Sequence, residues 1–336
     1  MHPSKIPVLG KLNAGKTERH LIKLPGEALK NDEPRPVITV TGTKPGPTLF
    51  VNAGVHGGEY PAIEAVIRLS KTLDPQTIAG TVVLMPVLNL PAFRNRTPFV
   101  CPVDNVNPNR VFPGDPNGSY SEQMTHAFMN EFVVHADAYI DLHGGDIPEA
   151  LVPFVICRGS EAGQAVDDVS LKSKELALAF GLPYVLTVTK PVQSAHRAGA
   201  GGLSSYAAAA EKGIPAILAE AGGVGQLQED AVELLVSGVK RVMRHLGMIE
   251  SASRRSETAA TVLTSFEWLY SKPAGMWYPR IMVGDLVEKG QEIGTIGDLF
   301  GDTLETIVAP VTGHVLFLTI NPSVQANGLL MGIGCN

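Results

Sequence analysis

Thr48-Leu49-Phe50-Val51-Asn52-Ala53-Gly54-Val55-His56-Gly57-Gly58-Glu59-Tyr60 passes from an unbroken apolar run, through a glycine-flanked turn, into a segment of helical period. Successive apolar residues suit a strand covered on both faces, as in a mostly parallel sheet. The helix that follows should carry Ile63, Val66, Ile67 and Leu73 on one face. Pro61 falls early in it, where a missing N–H does no harm. Outward from this unit the same alternation repeats. Candidate strands are 37–41, 48–53, 81–88, 138–142, 152–156, 184–189 and 216–219, all rich in Val, Ile and Leu. A later helix should line up Val232, Leu235, Val236, Val239, Met243 and Leu246, with Gly247 as its C-terminal stop. Strands alternating with helices over residues 37–247 indicate an α/β layer architecture.

The pattern changes after residue 250. Residues 251–258 are polar and charged and read as a linker. Beyond them come short strand-like pieces at 280–283, 292–296, 306–309, 314–319 and 329–333, separated by Gly, Asp and Pro. The expectation is therefore two units: residues 1–250, and a small all-β unit at 259–336.

Three strand ends carry chemistry. His56 and Glu59 are three apart, a spacing that brings two side chains together in a first helical turn. Two His and one Glu, with water, make a common catalytic zinc set. Equally, Glu59 could simply favour a helix N-terminus. Ala138-Tyr139-Ile140-Asp141-Leu142-His143-Gly144-Gly145 ends a second apolar strand in a histidine, with Asp141 two residues earlier, able to orient it by a hydrogen bond. A histidine satisfied by backbone at a sheet edge is the bland alternative. In Ala216-Ile217-Leu218-Ala219-Glu220 a third strand delivers one carboxylate, which alone would usually be solvated. What joins the three is position: each sits at the carboxyl end of an expected parallel strand, the rim where open α/β sheets bind ligands. A long polar loop follows residue 88 and holds Arg94, Arg96, Asn105, Asn107, Asn109 and Arg110. Long loops inside compact domains are often functional, and arginine's planar fork suits a substrate carboxylate or a developing oxyanion.

Bulk properties narrow the function. Of 336 residues, 44% are hydrophobic and 18% charged, ample for a buried core. A net charge of −6 and no clustered Lys/Arg argue against a nucleic-acid partner. The absence of a long apolar run argues against a membrane span, and the first residues have no signal-peptide pattern. Three widely spaced cysteines, Cys101, Cys157 and Cys335, fit reduced thiols. A cytoplasmic location is expected. No Gly-x-Ser-x-Gly elbow is present, nothing marks Cys101 as activated, and Gly199-Ala200-Gly201-Gly202 is not a full dinucleotide fingerprint.

Together, His56-Gly57-Gly58-Glu59, Asn109-Arg110-Val111-Phe112-Pro113-Gly114, Asp141-Leu142-His143 and Glu220 resemble the succinylglutamate desuccinylase/aspartoacylase family, relatives of the zinc carboxypeptidases. The resemblance spans about residues 37–247. It implies a zinc carboxypeptidase-like sheet flanked by helices, with one zinc ion per chain on His56, Glu59 and His143 and with Glu220 as general base. It further implies Arg96, with Arg94 as alternate, stabilising the oxyanion, and Asn109 and Arg110 gripping a substrate carboxylate. The implied reaction is hydrolysis of the amide bond of a small anionic N-acyl amino acid. Peptidase or ester hydrolysis is the nearest alternative, non-catalytic binding of a small acid a further one, and homo-oligomer formation stays open. Asn105 stands where relatives usually have glycine, and Asn tolerates positive φ. Pro108 stands where an apolar residue is usual.

The C-terminal unit resembles a biotinyl/lipoyl-type barrel-sandwich through Val283-Gly284-Asp285 to Ala309-Pro310-Val311-Thr312-Gly313. Lys289, the last lysine, lies too early for cofactor attachment. A structural part at the site entrance or a subunit contact is expected instead.

Overall fold

A computed structural model describes residues 2–3, 5–159, 166–189, 202–250 and 260–336. The expected linker at 251–258 and Gly199, Ala200 and Gly201 lie outside them. The elements used below are β1 (Lys16–Ile22), β2 (Arg35–Thr41), β3 (Lys44–Asn52), α1 (Tyr60–Thr72), β4 (Ala79–Met85), α2 (Leu90–Asn95), α3 (Tyr120–Glu131), β5 (Ala138–His143), β6 (Glu149–Leu151) and β7 (Phe154–Arg158). After them come α4 (Asp168–Phe180), β8 (Tyr184–Val188), α5 (Ser205–Glu211), β9 (Ala216–Glu220) and α6 (Glu229–His245). The C-terminal strands are β10 (Thr261–Leu263), β11 (Ser265–Tyr270), β12 (Gly275–Pro279), β13 (Glu292–Gly297), β14 (Thr303–Val308), β15 (Gly313–Thr319) and β16 (Leu329–Cys335).

Among the described residues the large sheet has nine strands in the order β10-β8-β7-β9-β5-β3-β4-β2-β1. Five neighbouring pairs are parallel and three antiparallel. The sheet is thus mixed: parallel at its centre, with β7 reversed against β9 and with antiparallel β2 and β1 at one margin.

Why the central strands read as continuous apolar runs is plain from their two faces. Leu49, Val51, Ile140, Leu142, Ile217 and Ala219 enter one core with α1, α4 and α6. The alternate residues Phe50, Tyr139, Ala216 and Leu218 enter a second core with α3 and α5. Period-two side chains therefore all find apolar partners. The stripe expected on α6 is buried in the first core, with Leu246 packed against it, and Gly247 follows the helix at φ 69°.

The C-terminal strands form two further sheets. One runs β11-β16-β15 and ends on Leu286–Val287; the other runs β14-β13-β12 and ends on Ser323–Val324. Residues 280–283, expected as a strand, instead form a turn before Leu286–Val287. The expected boundary at 259 is crossed twice. Strand β10 joins the large sheet beside β8, and β6, from the middle of the chain, joins the C-terminal sheet by pairing with β15.

Candidate active site

The central parallel strands β3, β5 and β9 are neighbours, with Asn52 opposite Asp141 and His143 opposite Glu220. Register alone puts His143 and Glu220 side by side at the carboxyl rim. From β3 the chain turns through residues 53–59 before α1, and glycine is required there. A Cβ at Gly57 would lie 2.2 Å from Phe93 N, and one at Gly58 would lie 2.0 Å from Asp146 Oδ1. This close approach seats His56 and Glu59 beside His143.

His56, Glu59 and His143 are buried, at 8%, 2% and 1% exposure, and form a group able to hold a metal ion. His56 Nδ1 lies 2.7 Å from Glu59 Oε1, and His143 Nδ1 lies 2.8 Å from Glu59 Oε2. The far ring nitrogens are occupied: His56 Nε2 is 3.0 Å from Asn107 Oδ1, and His143 Nε2 is 2.9 Å from Asp141 Oδ2. Both oxygens can only accept, so each Nε2 carries the proton and donates it. Two neutral rings would then aim their Nδ1 lone pairs at a carboxylate. Only positive charge between them, a proton or a metal ion, relieves that convergence. Glu59 Oε2 also lacks a well-aligned hydrogen bond, as an atom left for such a cation would.

Charge regulation agrees with this geometry. Burial pushes Glu59 up, but His143 and His56 outweigh it and hold the carboxyl at about 2. Burial opposes charge on His143, yet Asp141 and Glu59 raise its pKa well above the usual imidazole value. Both shifts mark the point between the rings and the carboxylate as one that favours positive charge. Glu220 differs. Burial drives its pKa well above the usual carboxylate range; His143 opposes the rise, and Glu59, Glu149 and Asp141 add to it. Its Oε2 has no hydrogen-bond partner among the described residues. Although enclosed by packing atoms, Glu220 is only half-buried, because it lines a cavity of about 590 Å³.

His56, Glu59, Asn109, Arg110 and Glu220 all line that cavity. Asn109 and Arg110 sit in a short 3-10 turn, Pro108–Arg110, so Pro108 starts a turn, as proline's fixed φ favours. Arg110 Nη1 donates to Asn109 O at 2.8 Å, and its guanidinium carbon stands 6.0 Å from the Trp268 ring centroid. Burial lowers the Arg110 pKa, opposed by Tyr270, Tyr206, Glu149 and Glu220; the group stays cationic. Asn105 adopts φ 57°, the left-handed backbone that suits Asn in a glycine's place.

Arg94 and Arg96 are not brought to the cavity. Arg94 is spent on a surface ion pair with Glu33. Arg96 caps α2 in left-handed backbone at φ 54° and is exposed. The Asn89 side chain accepts from Ala92 N and starts α2 so that its last turn faces outward.

Two residues were missed in the sequence. Asn107 Oδ1 accepts from both His56 Nε2 and Asn109 N. Ser205 N donates to Asn109 Oδ1 at 3.0 Å, while its hydroxyl donates to Asp141 Oδ2. A chain of hydrogen bonds so links the two histidines through the residues of the Asn-rich loop. Asn107 was in view beside Asn109; Ser205, far along the chain, carried no local signal.

The catalytic-domain model of the succinylglutamate desuccinylase/aspartoacylase family matches residues 45–246. The chain is 29% identical over 310 residues to N-alpha-acetyl-L-2,4-diaminobutyric acid deacetylase of Halomonas elongata, covering 88% of this chain and 84% of that protein. Among solved structures it is similar to product-bound ectoine utilization protein EutE (DoeB) of Ruegeria pomeroyi, at 22% identity, TM-score 0.83 and full coverage of both chains. It is also similar to a succinylglutamate desuccinylase/aspartoacylase of Rhodobacter sphaeroides, at 23% identity and TM-score 0.80, covering 97% of this chain and 98% of that one. At these identities the two structures show the shared fold.

Proposed function

From the premise that the chain belongs to the succinylglutamate desuccinylase/aspartoacylase family, we propose that it is a zinc-dependent hydrolase that cleaves the amide bond of a small N-acyl amino acid. The observation that carries this reading is the meeting, on one cavity, of the His56-Glu59-His143 group with Glu220 and Arg110. The Halomonas relative, a deacetylase of an acylated amino acid, supports the same bond type. Ligands at the ends of adjacent parallel strands support a zinc carboxypeptidase-like reading of the large sheet.

His56, Glu59 and His143 would hold the zinc, which when bound activates water and polarises a carbonyl. Arg110, with Asn109 beside it, takes the substrate carboxylate and fixes the amide over Glu220. Glu220 accepts the proton of the attacking water through its unpartnered carboxylate. It then returns that proton to the leaving amine, base first and acid second. The burial that raises its pKa makes it a competent donor for the second half, and positive charge held by the His56-Glu59-His143 group would favour the carboxylate that the first half needs. Arg94 and Arg96, outside the cavity, are given no contact in this scheme. A mere binding protein would have no use for a buried carboxylate beside a ligand set.

Elemental analysis of the purified protein, with amine release from N-acetyl amino acids, tests the reading. About one zinc per chain is expected. Glu220→Gln should keep the metal and lose about a hundred- to ten-thousand-fold in kcat. A variant that retains near-full turnover would remove Glu220 from the proton transfer.

A further inference from the structure

The cavity reaches well past the charged groups that the deacylase reading uses. Its volume, about 590 Å³, falls within the roughly 300–1,000 Å³ of small-molecule sites. One wall is apolar: Leu151, Phe154, Leu186, Phe266, Trp268 and Phe317. Phe266, Trp268 and Phe317 form an aromatic plate on the C-terminal sheet, with centroids 5.1 Å apart for Phe266–Trp268 and 5.2 Å for Trp268–Phe317. Phe317 pairs in register with Leu151 of β6, so the plate is fixed to the chain segment just after His143. Phe266 and Trp268 remain half-buried although their ring neighbours pack around them. Both line the cavity.

The charged end and the apolar wall meet at Arg110, whose guanidinium lies over Trp268. A substrate with its carboxylate on Arg110 and its amide at Glu220 has one further substituent on the α-carbon, the side chain. Besides a polar stretch that includes Thr319, Asn321 and Gln325, the surface left for that side chain is the aromatic plate, which adjoins Arg110. Glu149 also lines the cavity and could in principle draw a cationic side chain. It stands opposite Thr319, two residues along β6 from Leu151, so the wall has one acidic edge, and the diaminobutyrate ligand below tests it.

We propose that the wall formed by Leu151, Phe154, Leu186, Phe266, Trp268 and Phe317 is the side-chain subsite, and that the substrates are N-acyl derivatives of large apolar or aromatic amino acids. This rests on the deacylase reading and narrows it. It also gives the C-terminal sheets a task, since four of the six residues, Leu151 of β6 among them, lie on them.

Binding is measured by calorimetry on zinc-loaded Glu220→Gln protein, where turnover does not interfere. The ligands are N-acetyl-L-phenylalanine, N-acetyl-L-aspartate, N-alpha-acetyl-L-2,4-diaminobutyrate and N-phenylacetylglycine. The phenylalanine derivative should bind about tenfold tighter than the others or better, the discrimination an apolar pocket supplies. Phe266→Ala and Phe317→Ala should each reduce that advantage to a few-fold, measured relative to the affinity of the same variant for N-acetyl-L-alanine. Should either variant fail to fold, tryptophan emission of the parent protein serves. Trp277, the other tryptophan, is buried at 2% exposure, so a shift on binding reports Trp268. Equal or tighter binding of the aspartate or diaminobutyrate compound overturns the proposal, and preference for the ring on the acyl arm overturns the side-chain assignment. Hydrolysis of N-acetyl-L-phenylalanine and N-acetyl-L-alanine by wild-type protein separates the two readings. Turnover without the phenyl preference removes the subsite alone; the preference without any turnover removes the deacylase reading and leaves the subsite.

Discussion

At the scale of single residues, the site works by committing one nitrogen of each histidine so that the other is free. Asp141 accepts the hydrogen bond of His143 Nε2 and is itself fully buried. Asp141→Asn would keep the volume but remove the charge that favours Nδ1 as a ligand. It should weaken zinc binding about 10- to 100-fold, read by competition with a chromogenic chelator; unchanged affinity would mean that Asp141 serves packing alone. The thiols are the opposite case. Burial pushes Cys101 up to about 11 and Cys157 up to about 12, and neither is exposed. At pH 8 a thiol near 11 is about one part in a thousand thiolate. Iodoacetamide should therefore leave both unmodified in the folded protein, with hydrolysis unaffected. Alkylation of Cys101 seen by mass spectrometry together with lost activity would bring a thiol into the mechanism. The expected metal-type residues lie together as one group, and each stood in the sequence at or shortly after the end of an apolar strand, beside glycine. That Arg94 and Arg96 lie off the cavity lining was not legible, because which way a short helix faces depends on its cap and on a distant Glu33.

Among the elements, what the sequence exposed was burial, not direction. Strands buried on both faces stood out as apolar runs, and β3, β5 and β9 fell where expected. The reversal of β7 was hidden, since Val155 and Cys157 bury equally well in either direction. Strand β1 escaped notice because it is an edge strand whose alternate residues face solvent, giving no apolar run. Helix contacts hold a sharper test. In α6, Gly238 faces Phe180 at the end of α4, and a Cβ there would lie 2.2 Å from the ring. Alanine favours a helix over glycine by up to about 1 kcal/mol. Overpacking against a buried ring costs about 1–3 kcal/mol, and Phe180 is fully buried with little room to yield. Gly238→Ala should therefore be net destabilising, seen as a lower urea midpoint; a gain in stability would show that α4 and α6 can part freely.

For the molecule as a whole, the question is whether the C-terminal sheets are an appendage or part of one unit. Composition suggested a break after residue 250, and the family model ends at 246. Strand pairing argues otherwise. Thr261–Leu263 extends the large sheet, and Glu149–Leu151 extends the C-terminal one. Between them, Phe154 and Leu186 of the large sheet share a core with Leu263 and with Leu316 of the C-terminal sheet. Unfolding either half alone would strip a strand from the other and expose that shared core. The chain should thus unfold as one cooperative unit. Its residues make this measurable without labels: both tryptophans, Trp268 and Trp277, lie in the C-terminal sheets, while α1, α3, α4 and α6 lie before residue 250. Tryptophan emission follows the first region and far-ultraviolet circular dichroism the second. In a urea titration the two midpoints should coincide. If emission changes at clearly lower urea than ellipticity, the C-terminal sheets detach on their own, and the wall they lend to the cavity is a removable part.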